Sequence, residues 1–162
     1  MHTITAMACK AGLPRRTVQY WHDKEIIIPL SKSPVVYSDD ELRIVRLLSG
    51  FGRVASAISV IKEMARVFRL IMEEDSSVPS SVSLAFSEAM KGQKAYFLIA
   101  PDLDFDGDEL WAGWSEGVVG ESALGPACAR FQRNRPSLHL HMINLEYALN
   151  LNFVHGTAHS TE

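Results

Sequence analysis

Cysteine is scarce: Cys9 and Cys128 are the two in 162 residues, and they lie far apart. They supply neither a disulfide framework nor a clustered thiolate metal site, and a reducing, cytoplasmic setting is expected. No uninterrupted apolar run reaches the roughly 18 residues that mark a membrane-spanning helix. Met1 to Lys10 lacks a charged start followed by an apolar stretch, so no secretion signal is expected. Glycine-rich phosphate loops are missing, since Gly117-Val118-Val119-Gly120 has the wrong pattern, and no nucleophile-elbow signature is present. Neither a cofactor, a metal ion nor a catalytic residue is expected from the remainder.

The composition is 47% apolar and 22% charged, ordinary for a globular chain of one domain or two small ones. The net charge of -3 conceals an asymmetry. Residues 1–69 hold eleven basic and six acidic side chains, +5, which leaves five basic and thirteen acidic for the rest, -8. A basic amino-terminal part on an acidic remainder suggests a module that binds a polyanion, joined to something that does not.

Periodicity gives the elements. Ile4, Met7, Ala8 and Ala11 lie at helical spacing over Thr5 to Ala11, and Gly12 supplies a left-handed stop. After the turn at Leu13-Pro14, Arg15 to Lys24 reads as a second helix, and the pair makes a helix-turn-helix pattern. Ile26-Ile27-Ile28 reads as a strand that pairs with Val35-Val36-Tyr37 in a hairpin. Ser38-Asp39-Asp40-Glu41 is a capping box for a helix that Gly50 and Gly52 end. Val54 to Met72 reads as a longer helix with Val54, Ala57, Ile61, Met64, Phe68 and Ile71 as a heptad seam. Glu73 to Ser81 reads as a linker. Beyond it, Val82 to Met90 and Pro126 to Gln132 are helix candidates. Ala95 to Ala100, Leu110 to Trp114 and Leu138 to Leu145 are strand candidates.

Thr5-Ala6-Met7-Ala8, then Ala11-Gly12-Leu13-Pro14-Arg15-Arg16-Thr17-Val18-Gln19-Tyr20-Trp21, Ile26-Ile27-Ile28-Pro29 and Tyr37-Ser38-Asp39-Asp40-Glu41-Leu42 follow in that order. This stretch resembles the MerR family of winged helix-turn-helix transcription regulators. The resemblance implies a bacterial regulator that binds two-fold DNA sites as a homodimer, with residues 54–72 in the position of the family's dimerisation helix. Some positions depart from the family: Gln19 stands where it usually has arginine, the wing is short with one cation, and residues 80–162 resemble no known effector domain. The cysteines of the family's metal sensors are missing. The fold expected is α+β: a winged helix-turn-helix over 1–53, a dimerisation helix over 54–74 and a small α+β regulatory or oligomerisation domain over 80–162.

Arg15, Arg16 and Thr17 begin the presumptive recognition helix, where residues face base edges. Arginine there reads guanine or holds phosphate, and Gln19 suits adenine. Tyr20, Lys24, Lys32 and Tyr37 complete the expected DNA-binding set, with Trp21 assigned to the core. Arg43 and Arg46 read equally well as exposed charges. Three other constellations carry less. Asp102, Asp104, Asp106 and Gly107 imitate a calcium loop whose closing glutamate is Gly113. His139 and His141 share a strand face without a third ligand. Tyr96, Phe97, Trp111 and Trp114 are either the core of the second part or the lining of an unidentified effector's pocket. A mobile-element architectural or excision factor, or an enzyme with its site beyond residue 80, are the alternatives to a regulator.

Overall fold

The computed structural model describes residues 1–51, 58–100, 114–134 and 139–152, a mixed α+β chain. Helix α1 (Ile4–Ala11) starts where Thr3 Oγ1 accepts the Ala6 N–H and ends at Gly12, whose φ of 65° lets its amide close on the Ala8 and Cys9 carbonyls. Helix α2 (Arg15–Asp23) follows directly after Pro14. Val18 and Trp21 of α2 and Met7, Ala8 and Ala11 of α1 are buried in the same cluster, which sets the pair against each other.

Ile26–Ile28 is not a strand. Glu25 turns the chain at φ 55°, the Ile26 N–H donates to the Trp21 carbonyl at 2.9 Å, and Ile26 and Ile27 drop into the core as side chains. Side chains elsewhere take the backbone groups that a strand would have paired. Arg69 donates to the Ile26 carbonyl at 2.8 Å, and the Glu41 carboxylate accepts the Ile28 N–H at 2.8 Å. The hairpin forms further on, between β1 (Ser31–Lys32) and β2 (Val35–Val36), in the antiparallel register Ser31↔Val36 and Lys32↔Val35. His2 bridges to Tyr37 beyond it.

Helix α3 (Asp39–Phe51) carries half of the expected capping box. Ser38 Oγ accepts the Glu41 N–H at 3.1 Å, but the Glu41 side chain turns away to the Ile28 amide and the Arg69 guanidinium. Gly50 does not end the helix; it lies within it. A Cβ there would sit 3.4 Å from Ile143, an ordinary contact, so Gly50 lies where α3 packs on β5. Helix α4 (Ile58–Met72) and α5 (Ser80–Met90) are joined by an ordered turn and not by a loose linker. Asp75 Oδ1 accepts both the Ser77 amide at 2.9 Å and its hydroxyl at 2.6 Å, and Val78 is buried.

The second part is a three-stranded antiparallel sheet in the order β4-β3-β5, from β3 (Ala95–Ala100), β4 (Trp114–Val119) and β5 (His141–Asn144). Alternation along β3 sorts its two faces. Ala95, Phe97 and Ile99 join the core under α4 and α5, while Leu98 joins Val118 and Ala127 under α6 (Leu124–Asn134). Gly117 permits the close approach of α5 to β4, because a Cβ would fall 2.0 Å from the Ser81 carbonyl oxygen. The strand expected to run to Leu145 stops at Asn144, whose Oδ1 accepts the Tyr147 N–H and so starts α7 (Leu145–Leu149).

One apolar cluster runs from Met7 through Phe68, Phe86 and Phe97 to Leu149. The chain's two parts therefore share a core through one face of the sheet, while its other face forms a smaller apolar cluster of its own with α6. Arg46 is buried across this junction. Its guanidinium donates to the carbonyls of Lys10, Tyr147 and Asn150, tying α1 and α7 to α3. Arg43 donates from Nε to the Leu149 carbonyl at 3.1 Å and pairs with Asp40. Neither is a simple exposed charge. Burial, followed by the charge of Arg43, lowers the pKa of Arg46 from its usual value, opposed in part by Tyr147.

The expected dimer seam is corrected by the same core. Met64, Phe68 and Ile71 are fully covered by this chain, and the Phe68 ring meets Phe97 edge-on at 6.1 Å. Ile61 is half-buried and packed on that cluster. The heptad spacing marks an internal helix face, since three-four spacing records burial and not what does the burying. Val54 and Ala57 lie outside the described residues.

Candidate nucleic-acid interface

The turn at Gly12-Leu13-Pro14 aims the start of α2 outward. Arg15 and Arg16 are exposed, and Thr17 is half-buried behind them. No acid occupies the first turn of α2 and no side chain caps it. Two cations therefore sit at the positive end of a helix dipole, with open backbone amides beside them. That arrangement is mildly unfavourable until an anion arrives, and it is what phosphate oxygens or guanine acceptors would relieve. Among the described residues neither arginine has an ion-pair partner.

The rest of the expected set divides. Gln19 donates to Asp23 Oδ1 at 2.9 Å, one helical turn along, and must release that bond to reach a base. Tyr20 is exposed, with the Lys24 ammonium 5.8 Å from its ring centre. Lys32 is exposed on the hairpin and has no ion-pair partner among the described residues. Trp21 is buried, as assigned.

Tyr37 is the residue that does not belong. It is 0% exposed, and its hydroxyl is hydrogen-bonded to His22 Nδ1 at 2.7 Å. Burial, then the charges of Glu41 and Asp23, push its pKa up to about 12. It is a neutral core phenol that ties the hairpin's exit to α2, and it cannot touch DNA.

Three features were not legible in the chain. His22 is the partner of Tyr37. Glu41 and Arg69 form an ion pair across 28 positions, and that pair also holds the backbone of Ile26 and Ile28. Lys62 of α4 shares a groove with Lys32 of the hairpin. Local spacing carries no signal for any of them, because each joins elements far apart in sequence.

The other constellations give no second site. Phe97 is clamped edge-on between Phe68 and Phe86, and Trp114 leans on Phe131 at 5.2 Å, so these aromatics are core packing and not a pocket lining. His139 precedes β5 and is exposed, while His141 is half-buried, its pKa lowered by burial and then by His139. Among the described residues no three His, Cys, Asp or Glu side chains converge as a metal site. Asp102, Asp104, Asp106, Gly107 and Trp111 lie outside the described residues. No described helix is long and apolar enough to cross a membrane. Compared with protein-family models and with curated proteins, the chain matches none.

Proposed function

We propose that this chain is a sequence-specific, double-stranded DNA-binding transcription regulator that reads a two-fold site as a homodimer. α1 and α2 form a helix-turn-helix, and the β1–β2 hairpin forms its wing. The observation that carries this reading is the uncapped, doubly cationic start of α2, which, like Lys32 on the neighbouring hairpin, has no ion-pair partner among the described residues. α2 enters the major groove by its N-terminal end, with Arg15 and Arg16 on bases or flanking phosphates and Thr17 beside them. Lys32 holds phosphate from the wing, and Tyr20 and Lys24 reach the backbone from the exposed side of α2. The acidic remainder is held off DNA by charge and acts in regulation without catalysis. Self-association uses a surface other than Met64, Phe68 and Ile71, which are occupied within one chain.

The test is selection of bound duplexes from a random-sequence pool, followed by titration of the enriched site at several salt concentrations. A palindromic enriched sequence is expected, with a steep salt dependence. Replacing Arg16 by Ala costs about 1–3 kcal/mol on that sequence if it reads a base, and weakens all sequences alike if it holds phosphate. An Arg15→Ala, Arg16→Ala double variant that binds as the parent does would overturn the reading.

A further inference from the structure

We infer that the groove between α2, the hairpin and α4 is a binding site for a small amphipathic anion: an apolar ring or chain bearing one carboxylate, sulfonate or phosphate. The groove holds about 720 Å³, within the roughly 300–1,000 Å³ range of small-molecule sites. Its apolar wall is Ile27, Ile28, Pro29 and Val35. Ile28 is 55% exposed, although both of its isoleucine neighbours are buried. Its amide is held at 2.8 Å by Glu41, which Arg69 fixes in turn, so the side chain is presented outward on a braced backbone and the wall is preformed.

The lining carries two lysines and two acids, and the lysines are the groups that would hold an anionic head. Lys32 and Lys62 come from elements thirty positions apart and line the same groove. Neither has an ion-pair partner among the described residues, whereas Arg66, one turn along from Lys62, is held by Glu63. Two ammonium groups without a counter-ion beside an apolar wall are suited to an anion with an apolar body. Asp23, which accepts from the Gln19 amide, and Glu25 line the same groove, so the anionic head has to seat at the lysines and only the apolar body can lie along the acids. His22 also lines the groove, with its Nδ1 committed to Tyr37.

Occupancy has a consequence that rests on the function proposed above. Lys32 would serve both the ligand and the DNA backbone, so the two compete. The ligand would then act at the DNA-reading end and not at residues 80–162, where an effector was expected from the sequence.

The experiment is a titration of the full chain with 2-naphthoate, followed by amide chemical shifts, with uncharged 2-naphthalenemethanol as the control probe. Shifts confined to Ile27, Ile28, Val35 and Lys62 are expected, with naphthoate binding about tenfold more tightly than the alcohol. Lys62→Gln should remove that preference while leaving the remaining amide spectrum in place, and Ile28→Ser should weaken both probes. Equal binding of the two probes, or shifts elsewhere, would overturn the site. Naphthoate should also weaken DNA binding by the parent and not by Lys62→Gln. If naphthoate fills the groove and the chain does not bind DNA, the regulator reading fails while the site stands.

Discussion

From α5 onward, Lys91 pairs with Glu88, Lys94 with Glu121 and Arg130 with Glu116. Across α2 and the hairpin, Arg15, Arg16 and Lys32 have no such partner among the described residues. The two regions share one apolar core, yet they use cations differently. In the second region the exposed pairs contribute little to stability, as surface pairs do, and among the described residues Arg133 has no ion-pair partner. In the first, charge is left unsatisfied at a helix start, which fits an external anion and offers the isolated chain no stability. Interior cations teach a third lesson: Arg46 and Arg69 are spent on backbone carbonyls that no secondary structure satisfies.

Separating the regions is the strongest way to break the comparison. A fragment of residues 1–78 loses β5 and α7, exposes the α3 face that carries Gly50, and leaves Arg46 without the Tyr147 and Asn150 carbonyls. It is expected to lose cooperative unfolding, read by thermal melts and amide dispersion. A well-folded fragment would show that the shared core is dispensable. Phe68→Asp comes next. It places a charge where no water reaches and should cost about 3–5 kcal/mol, seen as unfolding and not as a clean shift from dimer to monomer in sedimentation.

Surface charge sharpens the comparison at intermediate size. Arg15→Ala with Arg16→Ala should lower the salt slope of DNA binding by about two and leave the melting temperature nearly unchanged. Lys94→Ala with Arg130→Ala should alter neither. The smallest change in stability expected within the core is Tyr37→Phe, about 1 kcal/mol at neutral pH from the lost hydrogen bond to His22. The folded phenol titrates near 12 against an ordinary 10.0, so its protonated form is favoured by folding. That contribution is whole below pH 10 and is lost as pH rises towards 12. The stability gap between parent and Tyr37→Phe should therefore narrow across that window in alkaline denaturation.

Much of the first region was legible because its signals are local. Gly12 after an amphipathic stretch, and Ser38 before three acids, each specify a helix boundary within a few residues. Helix starts and stops depend on orphan amides and carbonyls that neighbouring side chains satisfy. Ile26–Ile28 misled because β-branched residues suit both a strand and a buried irregular segment, and the choice fell to Arg69 and Glu41, far along the chain. Gly50 misled because glycine is read as a helix breaker, whereas here α3 runs through it to Phe51 and packs it against Ile143. At the candidate interface, the placement of Arg15 and Arg16 on the exposed first turn of α2 was legible from position alone. Tyr37 was misassigned because a family-like position does not say whether a ring faces out or in.

By itself the sequence determined the first two helices and the turn between them, the cationic start of α2 and the excess of positive charge in the first region, since these follow from spacing, capping and composition. Only the tertiary structure decided that Met64, Phe68 and Ile71 face inward, that Tyr37 is a buried phenol, and that Lys32 and Lys62 share one groove. Periodicity shows that a helix face is apolar. Which partner covers that face depends on contacts between residues tens of positions apart, and local patterns do not encode those contacts.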